Sequence, residues 1–196
     1  MKYLPAFLLL ASGALCSQCA KTPEVAPPPK LDYDQRSTEI VQGVSPAVAG
    51  DWTLRRVYVQ AQAYNVGQKE LGIKRDTVLR DFATLSVQPA PSGRSPVDLR
   101  YAKFAGVLHY RTKTYPVQFE LRAAPTRVVG NTGPQALFIF DFNFSIGSHP
   151  TEPEEQFLRY LGLIGDNFSL EVVPGQPGMM TWRGLSRGLD RIELVK

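Results

Sequence analysis

The chain has 196 residues, a formal net charge of +4 and 43% hydrophobic residues, enough apolar surface for a single core and only a modest basic excess. Its Lys and Arg are interleaved with acids (Arg55-Arg56, Lys69-Glu70, Lys74-Arg75-Asp76), which argues against the concentrated basic face that nucleic-acid binding needs. Cys16 and Cys19 are the only cysteines, so the long remainder of the chain offers no thiol nucleophile.

At the N-terminus, Met1-Lys2 supplies a positive start, Leu4 to Leu15 an apolar stretch, and Ala11, Ser12, Gly13 and Ala14 a run of small residues. This is the layout of a secretory signal, too short for a permanent membrane-spanning helix, and no other segment approaches the roughly 18 apolar residues a span requires. Cys16-Ser17-Gln18-Cys19 has CxxC spacing, but a signal end lacks the strand-to-helix setting that activates a redox pair, and no second cysteine pair completes a zinc site. The cysteines instead resemble those of bacterial lipoprotein signals, in which a cysteine just past the apolar stretch is lipidated and becomes residue one. That resemblance implies lipidation at Cys19, with Cys16 as the alternative. It also implies a protein exported to the bacterial cell envelope and membrane-anchored by lipid, on the outer membrane or the periplasmic side. Cleavage after Ala14 by an ordinary signal peptidase competes with it.

Residues 20–49 contain Thr22-Pro23, Pro27-Pro28-Pro29 and Ser45-Pro46 with few large apolar side chains, which predicts a Pro-rich flexible tether. From Gly50 onward, short runs of period two take over, β-branched or aromatic in part and bounded by Gly, Pro, Asn or Asp. They are Asp51 to Val59, Phe82 to Val87, Leu99 to Lys103, Phe104 to Arg111, Tyr115 to Arg122, Ala136 to Phe144, Phe168 to Val173, Met179 to Trp182 and Arg191 to Val195. Arg111-Thr112-Lys113-Thr114 suits a hairpin loop. The pattern predicts an all-β domain over 50–196, an antiparallel barrel or sandwich of about eight strands. One helix is expected at about 152–161: Thr151 and Glu154 have capping-box spacing, Pro153 fits a first turn, and Phe157, Tyr160, Leu161 and Ile164 recur at helical spacing before Gly162 and Gly165.

Signals for catalysis or metal binding are sparse. The histidines are His109, within a strand, and His149, within a loop. Asp166, Asn167 and Glu171 offer oxygens, but their spacing fits no calcium loop and Gly165-Asp166-Asn167 reads as a turn. No serine lies in Gly-x-Ser-x-Gly, and Ser92 and Ser186 sit among turn residues. Gly175-Gln176-Pro177-Gly178 is a turn and not a phosphate loop. The expectation is a non-enzymatic protein without cofactor or metal.

The most unusual feature is Phe138, Phe140, Phe142 and Phe144, which period two places on one face of a strand. Such a row serves either as plain sheet core or as the lining of a cavity for an apolar ligand. Gly50-Asp51-Trp52, opening the first strand, resembles the Gly-x-Trp start of the lipocalin family. Met180-Thr181-Trp182-Arg183-Gly184-Leu185 and Ile192-Glu193-Leu194-Val195-Lys196 resemble the closing strands of bacterial lipocalin-like lipoproteins, especially those of Bacteroidetes. The resemblance covers residues 50–196, with its recognisable residues at the two ends. It implies a barrel with Trp52 plugging one end beneath a basic side chain, for which Arg183 and Arg191 are candidates. Two functions follow as expectations. One is a small apolar ligand held in the barrel interior by some of Trp52, Tyr115, Phe138, Phe140, Phe142 and Phe144. The alternative is a structural or partner-binding envelope protein with a filled core.

Overall fold

Alternation of buried and exposed side chains carries the chain through eight antiparallel strands that close on themselves. In the computed structural model, which describes residues 30–91, 93, 97–145, 151–173 and 175–196, the strands are β1 (Gly50–Val59), β2 (Thr77–Pro89), β3 (Tyr101–Tyr110), β4 (Lys113–Ala123), β5 (Ala136–Phe142), β6 (Asp166–Val172), β7 (Met179–Gly184) and β8 (Leu189–Val195). Each pairs with its sequence neighbour, and β1 pairs with β8 through Thr53↔Val195 and Val57↔Ile192, so the expected all-β fold is a closed eight-stranded barrel. Leu99 to Arg111, read as two strands, is mostly the single strand β3, because Phe104, Leu108 and Tyr110 continue one inward face. Cys16, Cys19, the signal, Pro23 to Pro29, Ser92 and His149 lie outside the described residues.

The hairpin between β3 and β4 is tighter than expected. Tyr110 pairs with Lys113, leaving Arg111-Thr112 as a two-residue loop with Arg111 at φ 56°. Gly106 permits β3 to lie against β2: a Cβ there would stand 2.2 Å from the Ser86 carbonyl oxygen.

Helices cover both ends. At one end lie α1 (Tyr33–Val48) and α3 (Pro125–Gly130); at the other, α2 (Val66–Glu70) and α4 (Pro153–Leu161). The expected tether is thus corrected over Tyr33–Val48. Asp32 accepts the Gln35 N–H as N-cap, and Val41, Val44 and Val48 form a buried stripe. Val41 packs with Ala123 and Val128, while Val44 and Val48 enter the main core. Pro46 sits exposed in the last turn, where the solvent side tolerates it, and Ser45 Oγ donates to the Val41 carbonyl oxygen at 2.6 Å. Helix α4 matches its expected place, with Pro153 in the first turn and Gly162 in the left-handed conformation as C-cap. Its cap residue is Glu152, without a side-chain cap hydrogen bond, so the Thr151/Glu154 box does not form. Glu152 turns instead toward Lys113 and Tyr115. No helix among the described residues is long and apolar enough to cross a membrane.

Candidate functional site

The inward faces of the strands meet in one hydrophobic core rich in aromatic rings. Phe138 and Phe140 are buried and lie 4.9 and 5.3 Å, centroid to centroid, from Trp182. Phe119 stacks on Phe104 at 5.1 Å and touches Phe138 at 5.0 Å, and Phe168 lies 5.6 Å from Phe138. Phe142 continues the row toward α4, with Tyr115 at 5.5 Å and the half-buried Phe144 at 4.9 Å. The structure therefore places Tyr115, Phe138, Phe140, Phe142 and Phe144 in one core but in two ring groups: Phe138 and Phe140 against Trp182, and Phe142 against Tyr115 and Phe144.

Both mouths are stoppered. Beneath α4, Phe157 stacks on Tyr110 at 5.6 Å with ring planes 6° apart, and Leu158, Leu161, Leu163 and Ile164 are fully buried. Burial, then the Glu152 hydrogen bond at 3.3 Å, pushes the Tyr115 phenol up to about 12. Beneath α1, Trp52 is buried and its indole N–H donates to the Val48 carbonyl oxygen at 2.8 Å. The basic cover of Trp52 is Lys196, with Nζ 4.8 Å from the ring and donating to the Ala49 carbonyl oxygen at 2.8 Å. Neither expected arginine takes that place. The Thr53↔Val195 pairing sets Lys196 opposite Trp52, whereas Arg191 lies over Tyr58 at 4.0 Å and Arg183 is exposed beside Ser169.

The barrel wall has a feature that sequence reasoning missed. Strands β4 and β5 pair at Val117↔Phe142 and Gln118↔Asp141, and again at Arg122↔Leu137 and Ala123↔Ala136. Between these, Phe119, Glu120 and Leu121 face Phe140, Ile139 and Phe138 without ladder pairing, yet the register on either side is unchanged. The strands part locally and rejoin. The buried Phe119 ring contacts both Phe138 and Phe140 on the inner side of this opening. Outside this opening lies a half-open groove of about 790 Å³. Phe119, Phe138 and Phe168 form its floor, Leu137, the 56% exposed Ile139 and the 54% exposed Leu185 its apolar sides, and Tyr101, Lys103 and Arg122 its basic end. Of the expected ligand residues, only Phe138 lines it.

The remaining candidates have local partners. His109 is exposed and shares a hydrogen bond with Thr114 across the hairpin at 3.2 Å. Asp166 opens β6 instead of forming a turn; buried, it accepts the Asn167 N–H at 2.7 Å and the Ser186 hydroxyl, which ties down the β7–β8 connection. Among the described residues, no three His, Cys, Asp or Glu side chains cluster as metal ligands.

Taken together, fold and geometry define a closed eight-stranded antiparallel barrel, plugged at both ends and grooved on its flank. No protein-family model, curated protein or solved structure matches the chain.

Proposed function

We propose that this is a non-enzymatic binding protein of the bacterial envelope, lipid-anchored through Cys19 or Cys16, whose recognition surface is the flank groove and not the barrel interior. The observation that carries this is the contrast between the two spaces. The interior is occupied by touching rings and covered at both ends, whereas the groove offers about 790 Å³ of accessible volume, within the several hundred cubic ångströms usual for ligand sites. Parted strands add to its appeal, because they let a bound group reach aromatic side chains that a continuous ladder would seal off. The lipocalin-like start at Gly50-Asp51-Trp52 and the barrel closure support a relationship of architecture to that family, while the use of the outer wall departs from an interior carrier.

The test is a melting-temperature screen of the full chain against small organic compounds, a fatty acid and haem, repeated with two variants. Ile139→Asp with Leu185→Asp alters the groove, and Phe140→Leu alters the interior. Shifts that vanish in the groove variant and persist in the interior variant support the reading; the reverse pattern overturns it.

A further inference from the structure

The groove is not uniformly greasy, and its charges are not equivalent. Its two acidic residues are already engaged. Asp141 accepts the Phe142 N–H at 2.8 Å and lies 3.9 Å from Arg159, and Glu120 likewise has an interaction partner. Its two cations are not: beyond the backbone ladder, the side chains of Lys103 and Arg122 make no ion pair or hydrogen bond with the described residues. They share the outer face of β3 and β4. Tyr101 pairs with Arg122 and Lys103 with Glu120, so Lys103 and Arg122 are diagonal neighbours, roughly 7–8 Å apart at their backbones. An oxyanion group is small enough to be shared between them, and the guanidinium presents a planar fork matched to it.

The apolar part of the groove has its own preference. Across the β4–β5 ladder Arg122 faces Leu137, so the cationic end leads directly onto the apolar sides. The floor is a run of three rings, with Phe138 in contact with Phe119 at 5.0 Å and with Phe168 at 5.6 Å. Ring floors favour another ring, which can stack offset or meet them edge to face. Tyr101 beside Arg122 adds a further flat surface at the rim.

We propose that the groove binds a ring-bearing organic anion: a planar apolar body lying over Phe119, Phe138 and Phe168, with one carboxylate or phosphate between Lys103 and Arg122. This rests on the groove being the binding surface. The volume suits a ligand of one to three fused rings rather than a protein segment, and the two cations select its charge.

The experiment is calorimetric titration of the full chain with 2-naphthoate and 2-naphthyl phosphate. Neutral 2-naphthalenemethanol, a cationic naphthylmethylammonium and dodecanoate serve as comparisons. The anionic naphthyl probes should bind at least about tenfold more tightly than the neutral and cationic ones, and weaken with rising salt. Lys103→Gln with Arg122→Gln, both outward-facing, should remove that preference while leaving the melting temperature of the free protein unchanged. Equal binding of neutral and anionic rings that is lost in Ile139→Asp with Leu185→Asp would overturn the anion assignment and leave the groove standing. Binding of every probe unaffected by that groove variant would overturn both. Dodecanoate binding tenfold tighter than 2-naphthoate would overturn the ring requirement.

Discussion

Truncating Phe140 to alanine separates a packed interior from a hollow one. The side chain is fully buried, with Phe119 at 5.9 Å and Trp182 at 5.3 Å. Phenylalanine buries about 130 Å² more than alanine, which at roughly 25 cal/mol per Å² amounts to about 3 kcal/mol of lost transfer free energy. The rings around it are held by both strands and helices and collapse only in part, so a cavity term brings the loss to about 4 kcal/mol. For a domain of this size that corresponds to a fall of about 8–16 °C in melting temperature. Urea unfolding followed by circular dichroism should show the midpoint shift with an unchanged slope, the mark of lost stability without a change in the surface exposed. Phe144→Ala is the internal control. The same row places it half-buried against Phe142, and its loss should be about 1 kcal/mol. A Phe140→Ala loss below about 1 kcal/mol would refute the reasoning, since truncation costs little where the ring already borders empty space.

Four further outcomes follow from the geometry. Gly106→Ala should destabilise by about 2–3 kcal/mol in urea unfolding, because the new methyl meets the Ser86 carbonyl oxygen and two ladders must shift. Gly43→Ala should instead stabilise by about 0.5–1 kcal/mol, since the glycine lies within α1 with open space around its Cα; a flexible segment would give no gain. Lys196→Ala should cost about 1 kcal/mol through the lost Ala49 hydrogen bond and Trp52 contact, with partial recovery in Lys196→Arg. Tyr115 sets an alkaline slope. Its phenol is held at about 12 in the folded chain against about 10 when unfolded, so the folded state keeps a proton that the unfolded state has released. The associated stability is complete below about pH 10 and is lost as pH rises toward about 12; unfolding measured over that range should show the decline, reduced in Tyr115→Phe.

Period two was a reliable guide to the barrel because one face of every strand is buried, so alternation in the sequence translates directly into inside and outside. The row at Phe138, Phe140 and Phe142 announced its orientation for the same reason. What alternation cannot convey is whether neighbouring strands stay hydrogen-bonded along their whole length. The opening beside Ile139 involves Phe119, a residue on another strand whose ring touches two others, and no local pattern encodes that. Helix α1 was legible in principle. Val41, Val44 and Val48 repeat at helical spacing behind an Asp32 cap, but Ser45-Pro46 and the proline-rich stretch before it dominated the reading. Lys196 escaped for a third reason. Its place over Trp52 is set by the β1–β8 register, which joins residues far apart in sequence.

That same long-range seam has a kinetic consequence. Partners such as Val57 and Ile192 must find each other across nearly the whole domain, and Trp52 acquires its cationic cover only once β8 has docked. Every neighbouring hairpin can form from short loops, but the circle is joined last and at the largest entropic expense. Refolding should therefore be slow and late in its final step, with Trp52 fluorescence lagging behind the rise in β-structure. A chain shortened before β8 should remain an open sheet with two sticky margins, ready to pair with its own kind.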